Sequence, residues 1–539
     1  MSIGGLNIFF SPKSAKKLLD FGQILEIVMK TKNFDPTSST SILIYLALSK
    51  FLLMILFADN YGIFRDEYYY IECSKHLDWG FVDQPPLSAL ILFISRSLFG
   101  ESLLAIRIFA YIAGCITIFM SGLIARELGG GKFAQSLSAL AVIFCPVILG
   151  GGSYFSMNVF DVLLAALLFY YLIRLIRTEN SRLWILIGLI CGLGLENKLT
   201  FLFIGFGLAT GLVLTKNRKY FLSKELWIGG AIAFLIFLPN IMWQMKNNFP
   251  TLEFMRNAST RKNVSFGFLD FFHGSMMELN PFYIILLAAA FYFFLFHKEG
   301  KRFAIFAWIY ISIFVVFVLY GGKPYYMGVL YPMIIAAGVV GADLLIERYL
   351  RNWARYALVI ILIPAFIAIT PFAIPILNVD AFINYSNALG IKPASGERSR
   401  LGVLPQFFAD RFGWEEMVQE TAEVYNKLSP DEKSKVIIVG QNYGEAGAVN
   451  YYREKYGLPL AVSPHNNYWL WGYPKDYTGE VMIIIGSNLE DNKEFFEEVE
   501  VAASHFSKYG MPFENVDIYV CRKLKIKLSD AWPKIKNFI

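Results

Sequence analysis

Long apolar segments recur along the first 376 residues of the chain and are separated by short polar loops. A helix needs about twenty mostly apolar residues to cross a bilayer, although segments inside a bundle are sometimes shorter. The preceding residues, 1–39, instead favour a basic amphipathic helix on the inner membrane surface. The pattern predicts eleven transmembrane helices, at residues 40–58, 102–125, 133–149, 158–173, 183–195, 199–215, 226–243, 281–296, 303–320, 326–345 and 356–376.

The pattern changes from about residue 400 onward. Short β-rich runs at 435–440, 481–486 and 516–521 alternate with helical segments, as in a small α/β domain. We therefore predict a mainly α-helical membrane protein with a C-terminal soluble α/β domain. Its predicted parts are an N-terminal cytoplasmic amphipathic segment (1–39), a transmembrane domain (40–376) and a domain outside the cytoplasm (377–539).

Composition and charge agree with a membrane protein. The chain is 56% hydrophobic and 17% aromatic, which exceeds the usual apolar share of soluble domains. Its net charge of +6 comes from Lys and Arg clusters in alternate loops, so we expect no nucleic-acid partner. Because cytoplasmic loops retain Lys and Arg, the clusters place the N-terminus in the cytoplasm and the C-terminal domain in the periplasm or outside the cell.

The predicted outer loop at 59–101 concentrates acidic side chains. The neighbouring Tyr68–Tyr70 suit an interfacial aromatic belt. A solvated loop is the alternative reading for any single acid, but an adjacent acidic pair beside a membrane span favours a functional site. Five carboxylates fall within eighteen residues: Asp66, Glu67, Glu72, Asp78 and Asp83.

Six motifs follow one another along the chain and together carry a family resemblance. They are Asp66-Glu67 with Asp83-Gln84-Pro85-Pro86-Leu87, SYFSMNVFD (153–161), LENKLT (195–200), GGKPYYMGVLYP (321–332), NYGEAGAVNYY (442–452) and HNNYWLWG (465–472). In this order they resemble the GT-C superfamily, specifically glycosyltransferase family 39, with the aminoarabinose lipid A transferases, the protein O-mannosyltransferases and the Rgt-type transferases. The resemblance covers most of the chain and implies a GT-C fold.

The resemblance also implies a reaction and its partners. A sugar would pass from a polyprenyl-phosphate carrier, with inversion at the anomeric carbon, to a lipid, polysaccharide or protein acceptor at the outer membrane face. Asp66 matches the family's catalytic Asp and is the predicted general base, while Glu67 orients it or contacts the sugar. Membrane lipids are further expected partners.

The departing phosphate needs a positive charge near it. In the aminoarabinose branch a Lys precedes the Pro-Pro pair, whereas this chain has Gln84, which carries no charge. We therefore expect the charge to come from an outer-loop cation. The candidates are Lys198, Lys323 and Arg65, and for the two lysines the alternative is simple extension toward the lipid–water interface.

Four more residues complete the predicted substrate-binding set: Asp83, Gln84, Asp161 and Tyr325. Asp161 lies near the start of an apolar helix, after a candidate Asn N-cap, where a carboxylate is favourable even without a ligand. The family match favours an active-site role for it.

A divalent metal is the only cofactor that the sequence suggests. His273 corresponds loosely to a metal-contacting His in some relatives, and with Asp83 it predicts a metal site. One His and one carboxylate are, however, fewer ligands than a closed zinc site needs. A hydrogen-bonding role for the His is the alternative.

Two other functions remain open from the sequence. A transporter or lipid flippase would also have many spans, but transporters tend to show paired halves with interrupted helices, and this chain shows no such duplication. A binding protein with an inactive transferase fold is the third alternative, because a fold does not determine a function.

Overall fold

The computed structural model describes residues 2–3, 6–7 and 35–539. The predicted N-terminal amphipathic helix falls largely outside these residues. The chain forms two compact units, each assembled from separate stretches of sequence. The membrane unit comprises Met1–Asn60, Pro85–Met242 and Ser265–Phe382, and the α/β unit comprises Tyr61–Gln84, Trp243–Val264 and Ile383–Ile539.

The membrane unit is built from helices, and each of the eleven predicted segments overlaps one of them. The count of eleven spans is not confirmed. Among the described residues, six helices are long and apolar enough to cross a membrane, or eight if two bent pairs each form one span. The helices are Ser39–Leu56, Leu87–Phe99, Leu103–Glu127, Lys132–Ile143, Pro146–Gly151, Met157–Thr178, Leu183–Asn197, Thr200–Leu214, Lys224–Lys246, Phe268–Leu279, Ile284–Leu295, Ile305–Tyr320, Tyr331–Tyr349, Trp353–Ala373 and Val379–Ala388.

Three features of the bundle differ from the predicted segments. The segment 133–149 is divided into two helices before Pro146, which has no N–H to continue the helical hydrogen bonds. Leu87–Phe99 is an apolar helix of 13 residues, shorter than the roughly twenty residues by which a transmembrane helix is predicted. Phe268–Leu279 is also apolar, and it meets the following helical segment at a bend of 102°.

A glycine allows two helices of the bundle to approach backbone to backbone. A Cβ atom added at Gly338, in helix Tyr331–Tyr349, would lie 2.2 Å from the main-chain oxygen of Leu286 in helix Ile284–Leu295. No real side chain fits this space. Small residues at such positions let membrane helices pack closely in the absence of a strong hydrophobic driving force.

The α/β unit contains the larger of two β-sheets. β1 (Ser2–Ile3) and β2 (Leu6–Asn7) form an antiparallel pair of their own near the N-terminus. The five-stranded sheet has the order β4-β3-β5-β7-β6, in which β3 is parallel to β4 and β5, and β7 is antiparallel to β5 and β6. Its strands are β3 (Val436–Gly440), β4 (Ala461–Val462), β5 (Val481–Ile485), β6 (Phe496–Ser504) and β7 (Asp517–Leu524).

The three predicted β-runs correspond to β3, β5 and β7, whereas β4 and β6 were not predicted. β4 has only two residues. β6 lies at the sheet edge and exposes acidic side chains, which discourage pairing with another chain. The same acids interrupt the apolar pattern by which a strand is recognised in the sequence. The helices of this unit are Arg65–Lys75, Pro250–Asn257, Gln406–Ala409, Trp414–Lys427, Pro430–Lys435, Tyr443–Tyr456, Asn467–Trp471, Leu489–Phe495 and Leu528–Ala531.

We expect Gly338→Leu to destabilise the membrane unit by about 1–3 kcal/mol, because the new side chain would force two packed helices apart. The thermal unfolding midpoint in detergent measures this effect. Gly230→Leu is the matched control, since a Cβ at Gly230 meets nothing within 4 Å. Equal midpoints for the two variants would contradict the proposed contact.

Candidate active site

The first turn of helix Arg65–Lys75 carries Asp66. A capping box determines where this helix begins: Glu67 accepts a hydrogen bond from Phe64 N at 2.9 Å, and Glu67 N donates to Phe64 O at 2.8 Å. Glu67 is fully buried, so its carboxylate supports the helix start rather than facing solvent. Asp66 is half-buried and lies at the positive end of the helix dipole, which favours a carboxylate.

Tyr443 orients Asp66. Its hydroxyl donates to Asp66 Oδ1 at 2.8 Å. Tyr443 opens helix Tyr443–Tyr456, whose N-cap Asn442 accepts a hydrogen bond from Gly444 N at 2.8 Å. Burial raises the pKa of Tyr443 well above its ordinary value, so the phenol stays protonated and remains a donor.

Aromatic stacking holds the Tyr443 ring in place. Tyr69 and His465 both stack with it, each at 4.8 Å between ring centroids. The Arg65 guanidinium lies 4.9 Å from the same centroid. His465 Nδ1 accepts from Tyr443 N at 3.2 Å, while Nε2 lies 2.7 Å from the main-chain oxygen of Ile539 and therefore carries the proton.

Asp83 forms a second carboxylate site beside Asp66. The Tyr69 hydroxyl donates a hydrogen bond to Asp83 Oδ1 at 2.9 Å. Burial raises the pKa of Asp83 to about 6, the Tyr69 hydrogen bond opposes this, and the negative charge of Asp66 adds to it. The charge of Lys262 acts in the opposite direction. The α/β unit therefore brings together two of the predicted acids, Asp66 and Asp83, closely enough for their charges to interact.

Arg65 compensates buried acids. It is 7% exposed, and its Nε lies 3.5 Å from Glu514 Oε1. Burial raises the pKa of Asp410 to about 8, and burial likewise raises the pKa of Glu445 and of Glu514. A guanidinium engaged in this way stabilises the fold around Asp66, and the stronger candidates for a phosphate-binding cation are Lys198 and Lys323.

Gln84 lies inside the α/β unit. It is 2% exposed, and its Nε2 lies 3.7 Å from Cys73 Sγ. Its main-chain oxygen accepts from Phe81 N at 2.9 Å. Val82 N, two residues earlier, donates to Asn467 Oδ1 at 2.5 Å. These contacts fix the loop that presents Asp83.

Lys198 is the centre of a polar cluster within the membrane unit. It follows helix Leu183–Asn197, is 9% exposed, and donates from Nζ to Asn158 Oδ1 at 2.7 Å. Its Nζ lies 4.9 Å and 5.3 Å from the ring centroids of Tyr326 and Tyr325. The next helix begins two residues later, at Thr200, so Lys198 lies in a tight turn between two helices.

Two acids beside Lys198 have unused acceptors. Asp161 Oδ2 accepts from Thr200 Oγ1 at 2.6 Å, but Asp161 Oδ1 has no hydrogen-bond partner in the described chain. Both carboxylate oxygens of Glu196 are likewise buried without a partner among these residues. Buried acceptors without donors are costly, and ligand hydroxyl groups are suitable donors. The N-cap of the helix is Ser156 rather than the predicted Asn, because Ser156 Oγ accepts from Asn158 N.

Lys323 and Tyr325 lie on the same loop of the membrane unit. Lys323 precedes the 3-10 turn Pro324–Leu330 and is partly exposed. The ring of Tyr325 meets that of Tyr326 edge to face at 4.6 Å. Lys198, Tyr325 and Tyr326 thus belong to one cluster.

The predicted metal pair, Asp83 and His273, stays a prediction. His273 is an exposed residue. Across the part of the chain that the structure describes, no three His, Cys, Asp or Glu side chains converge as metal ligands. We therefore assign no catalytic step to a metal.

Sequence reasoning missed several partners of the predicted site. Tyr443 appeared in the sequence only as part of the motif at 442–452, and Tyr69 only as part of the predicted aromatic belt. Tyr68–Tyr70 are buried within the protein and do not form an interfacial belt. Asn158 and Thr200, which contact Lys198 and Asp161, gave no separate signal. Each of these residues acquires its role through a partner that is distant in sequence.

Several known proteins are similar to this chain in sequence or in fold. Residues 83–243 match the family described as dolichyl-phosphate-mannose-protein mannosyltransferase. The lipid A galacturonosyltransferase RgtD of Rhizobium johnstonii is 21% identical over 274 residues, covering 50% of this chain and 58% of RgtD. The chain thus matches less than two thirds of the length of this relative.

Two crystal structures of ArnT from Cupriavidus metallidurans are also similar. One is in the apo state and the other is bound to undecaprenyl phosphate; each has a TM-score of 0.56 and covers 89% of this chain and 97% of ArnT, at 13% and 14% identity. The fold is therefore similar to that of ArnT. The resemblance that the sequence motifs predicted is confirmed at the level of the fold, and the chain is a multi-pass membrane protein. The orientation of its termini stays a prediction.

We expect His465 to make the α/β unit less stable as the pH drops below about 6.5, whereas the raised pKa values of the buried Asp83 and Asp410 act in the opposite direction. Burial lowers the pKa of His465 to about 3, so between these values its unfolded form binds a proton that the folded state excludes. The contribution of His465 is on the order of 1.4 kcal/mol per pH unit. It is measured as the difference in unfolding midpoint between the wild type and His465→Gln from pH 7 to pH 4.

The midpoint of His465→Gln should rise relative to that of the wild type as the pH falls, because Gln offers an acceptor and a donor but does not titrate. The exposed His273→Gln is the control, and its difference from the wild type should not change with pH. A difference between His465→Gln and the wild type that does not depend on pH would contradict the assigned role of His465.

Proposed function

We propose that this protein transfers a sugar from a polyprenyl-phosphate carrier to an acceptor hydroxyl at the outer face of the cytoplasmic membrane, with inversion at the anomeric carbon. The observation that carries the proposal is the half-buried Asp66 carboxylate, oriented by Tyr443 at 2.8 Å and paired with Asp83. Two similar proteins support a lipid carrier and a lipid acceptor, since RgtD is a lipid A galacturonosyltransferase and ArnT binds undecaprenyl phosphate.

The proposed reaction is a single displacement. The acceptor oxygen attacks the anomeric carbon while the bond from that carbon to the phosphate oxygen breaks. The acceptor proton passes to Asp66 as general base, and the bonding electrons leave with the polyprenyl phosphate. Tyr443 is a positioning residue, because it touches Asp66 rather than the reacting atoms.

Lys198 is the proposed cation for the carrier phosphate. It is largely withdrawn from water and lies beside the rings of Tyr325 and Tyr326, where a charge interacts more strongly than at a surface. The unused oxygens of Asp161 and Glu196 are proposed to accept hydrogen bonds from sugar hydroxyls. In this proposal Lys198, Asp161 and Glu196 bind the sugar donor. Side chains suited to a phosphate and to sugar hydroxyls favour a transferase over a transporter or flippase.

Replacement of Asp66 by Asn should reduce sugar transfer by about 10²–10⁴-fold, because the amide cannot accept the proton. Mass spectrometry of envelope glycolipids, comparing a deletion strain with the strain complemented by each variant, measures transfer and also identifies the acceptor. Asp78→Asn is the matched control: Asp78 is an exposed acid of the same loop, and it accepts from Trp243 Nε1. Full activity of Asp66→Asn in a normally expressed protein would reject the proposed base.

Lys198→Met should lower kcat/KM for the carrier-linked sugar by about 10²-fold, since the departing phosphate would lose its positive partner. Transfer by purified protein from a synthetic polyprenyl-phosphate sugar measures this loss. Lys323→Met is the comparison variant. If it alone produces the loss, the phosphate role belongs to Lys323 and not to Lys198.

A further inference from the structure

An apolar cavity of about 440 Å³ lies against the five-stranded sheet of the α/β unit. Val439 of β3, Val462 of β4 and Ile484 of β5 contribute to its floor. The other face of β3 is covered by helix Tyr443–Tyr456, because a Cβ at Gly440 would lie 2.6 Å from a main-chain nitrogen of that helix. The cavity thus occupies the sheet face that this helix leaves uncovered.

A C-terminal segment, residues 524–537, forms the roof of the cavity. Trp532 Nε1 donates to Trp469 O at 3.1 Å, and Trp469 Nε1 donates to Trp532 O at 2.9 Å. At the end of the segment, Asn537 N donates to Pro464 O at 3.0 Å. These bonds fasten the roof to the rest of the unit and keep it from collapsing onto the sheet. The enclosed volume is in the range of small-molecule sites.

One end of the cavity is polar. Gln441 and Ser487 follow β3 and β5, and Ser487 N donates to Gln441 Oε1 at 2.8 Å. Asn492 is 4% exposed, and its Nδ2 has no hydrogen-bond partner in the described chain. The carboxyl ends of neighbouring parallel strands, where the chain turns to opposite sides, are where open α/β sheets bind ligands.

We propose that this cavity binds a single hydrocarbon chain ending in a neutral oxygen acceptor, such as the acyl ester of a lipid. The chain would cover the apolar sheet face, and its ester oxygen would accept the unused hydrogen bond of Asn492. None of the residues that line the cavity is assigned to sugar transfer. The proposal does not rest on the proposed function.

The lining excludes other ligand classes. A sugar needs several polar partners for its hydroxyls, whereas the floor and roof are largely aliphatic and aromatic. The exposed charges at the cavity balance, because Asp491 and Glu494 are matched by Lys534 and Lys536. The lining therefore has no net charge to favour a phosphate or a free carboxylate, whereas a neutral oxygen needs no charged partner.

Photolabelling of the full chain in lipid nanodiscs tests the site. The probe is a fatty acyl methyl ester with a diazirine on its chain, and a diazirine alkane of equal length serves as the oxygen-free comparison. Peptide mapping by mass spectrometry should find the ester probe on residues 487–496 or 524–537. Absence of label from both segments would overturn the proposal.

Ala531→Phe fills the cavity and should reduce labelling of these segments at least fivefold, whereas Ser529→Phe, on the exposed side of the same short helix, should not. Asn492→Leu should reduce labelling by the ester but not by the alkane. Undiminished labelling in a folded Ala531→Phe protein would refute the site. If Ala531→Phe lowers the unfolding midpoint, Val439→Phe fills the floor instead and is judged by the same criterion.

Discussion

The contact between helices Arg65–Lys75 and Tyr443–Tyr456 is the constraint on which the candidate active site depends. A Cβ at Gly447 would lie 2.8 Å from Tyr68 Cβ, so only glycine lets the two helices approach this closely. Each helix begins with a capping box, which fixes its first turn. With both helix starts fixed and the helices in contact, Asp66 meets the Tyr443 hydroxyl across 377 residues of sequence.

The region around Asp66 also contains a network of buried charged side chains. Arg65 lies among buried acids, and burial raises the pKa of Asp410 and of Glu514 while the positive charge of Arg65 opposes this rise. Loss of either partner of such a buried pair leaves an uncompensated charge, which disfavours other arrangements. Asp66, at its edge and half-buried, keeps contact with solvent while its neighbours are withdrawn. A rigid, polar surrounding with one accessible carboxylate is what a positioned base needs.

Much of the fold was predictable because its signals are local. The apolar segments, the strands β3, β5 and β7, and the acid-rich loop are all properties of short stretches. The errors have local causes as well. Helix Leu87–Phe99 is too short to be recognised as a membrane span, and β6 carries exposed acids at a sheet edge. The helix at Met157 is capped by Ser156 instead of the predicted Asn, because two nearby residues can both act as an N-cap. The number of membrane crossings depends on bends that hydropathy does not record.

By itself, the sequence determined that the chain enters a membrane, that a small α/β domain follows, and that Asp66 and Lys198 are candidates for chemistry. These conclusions rest on hydrophobic patterning and on the order of short motifs. Only the tertiary structure decided which side chains serve those candidates: Tyr443 for Asp66, and Asn158 with Tyr326 for Lys198. The physical reason is that hydrogen bonds and ring contacts join residues far apart in sequence, and no local pattern encodes which distant residue the packing will bring near.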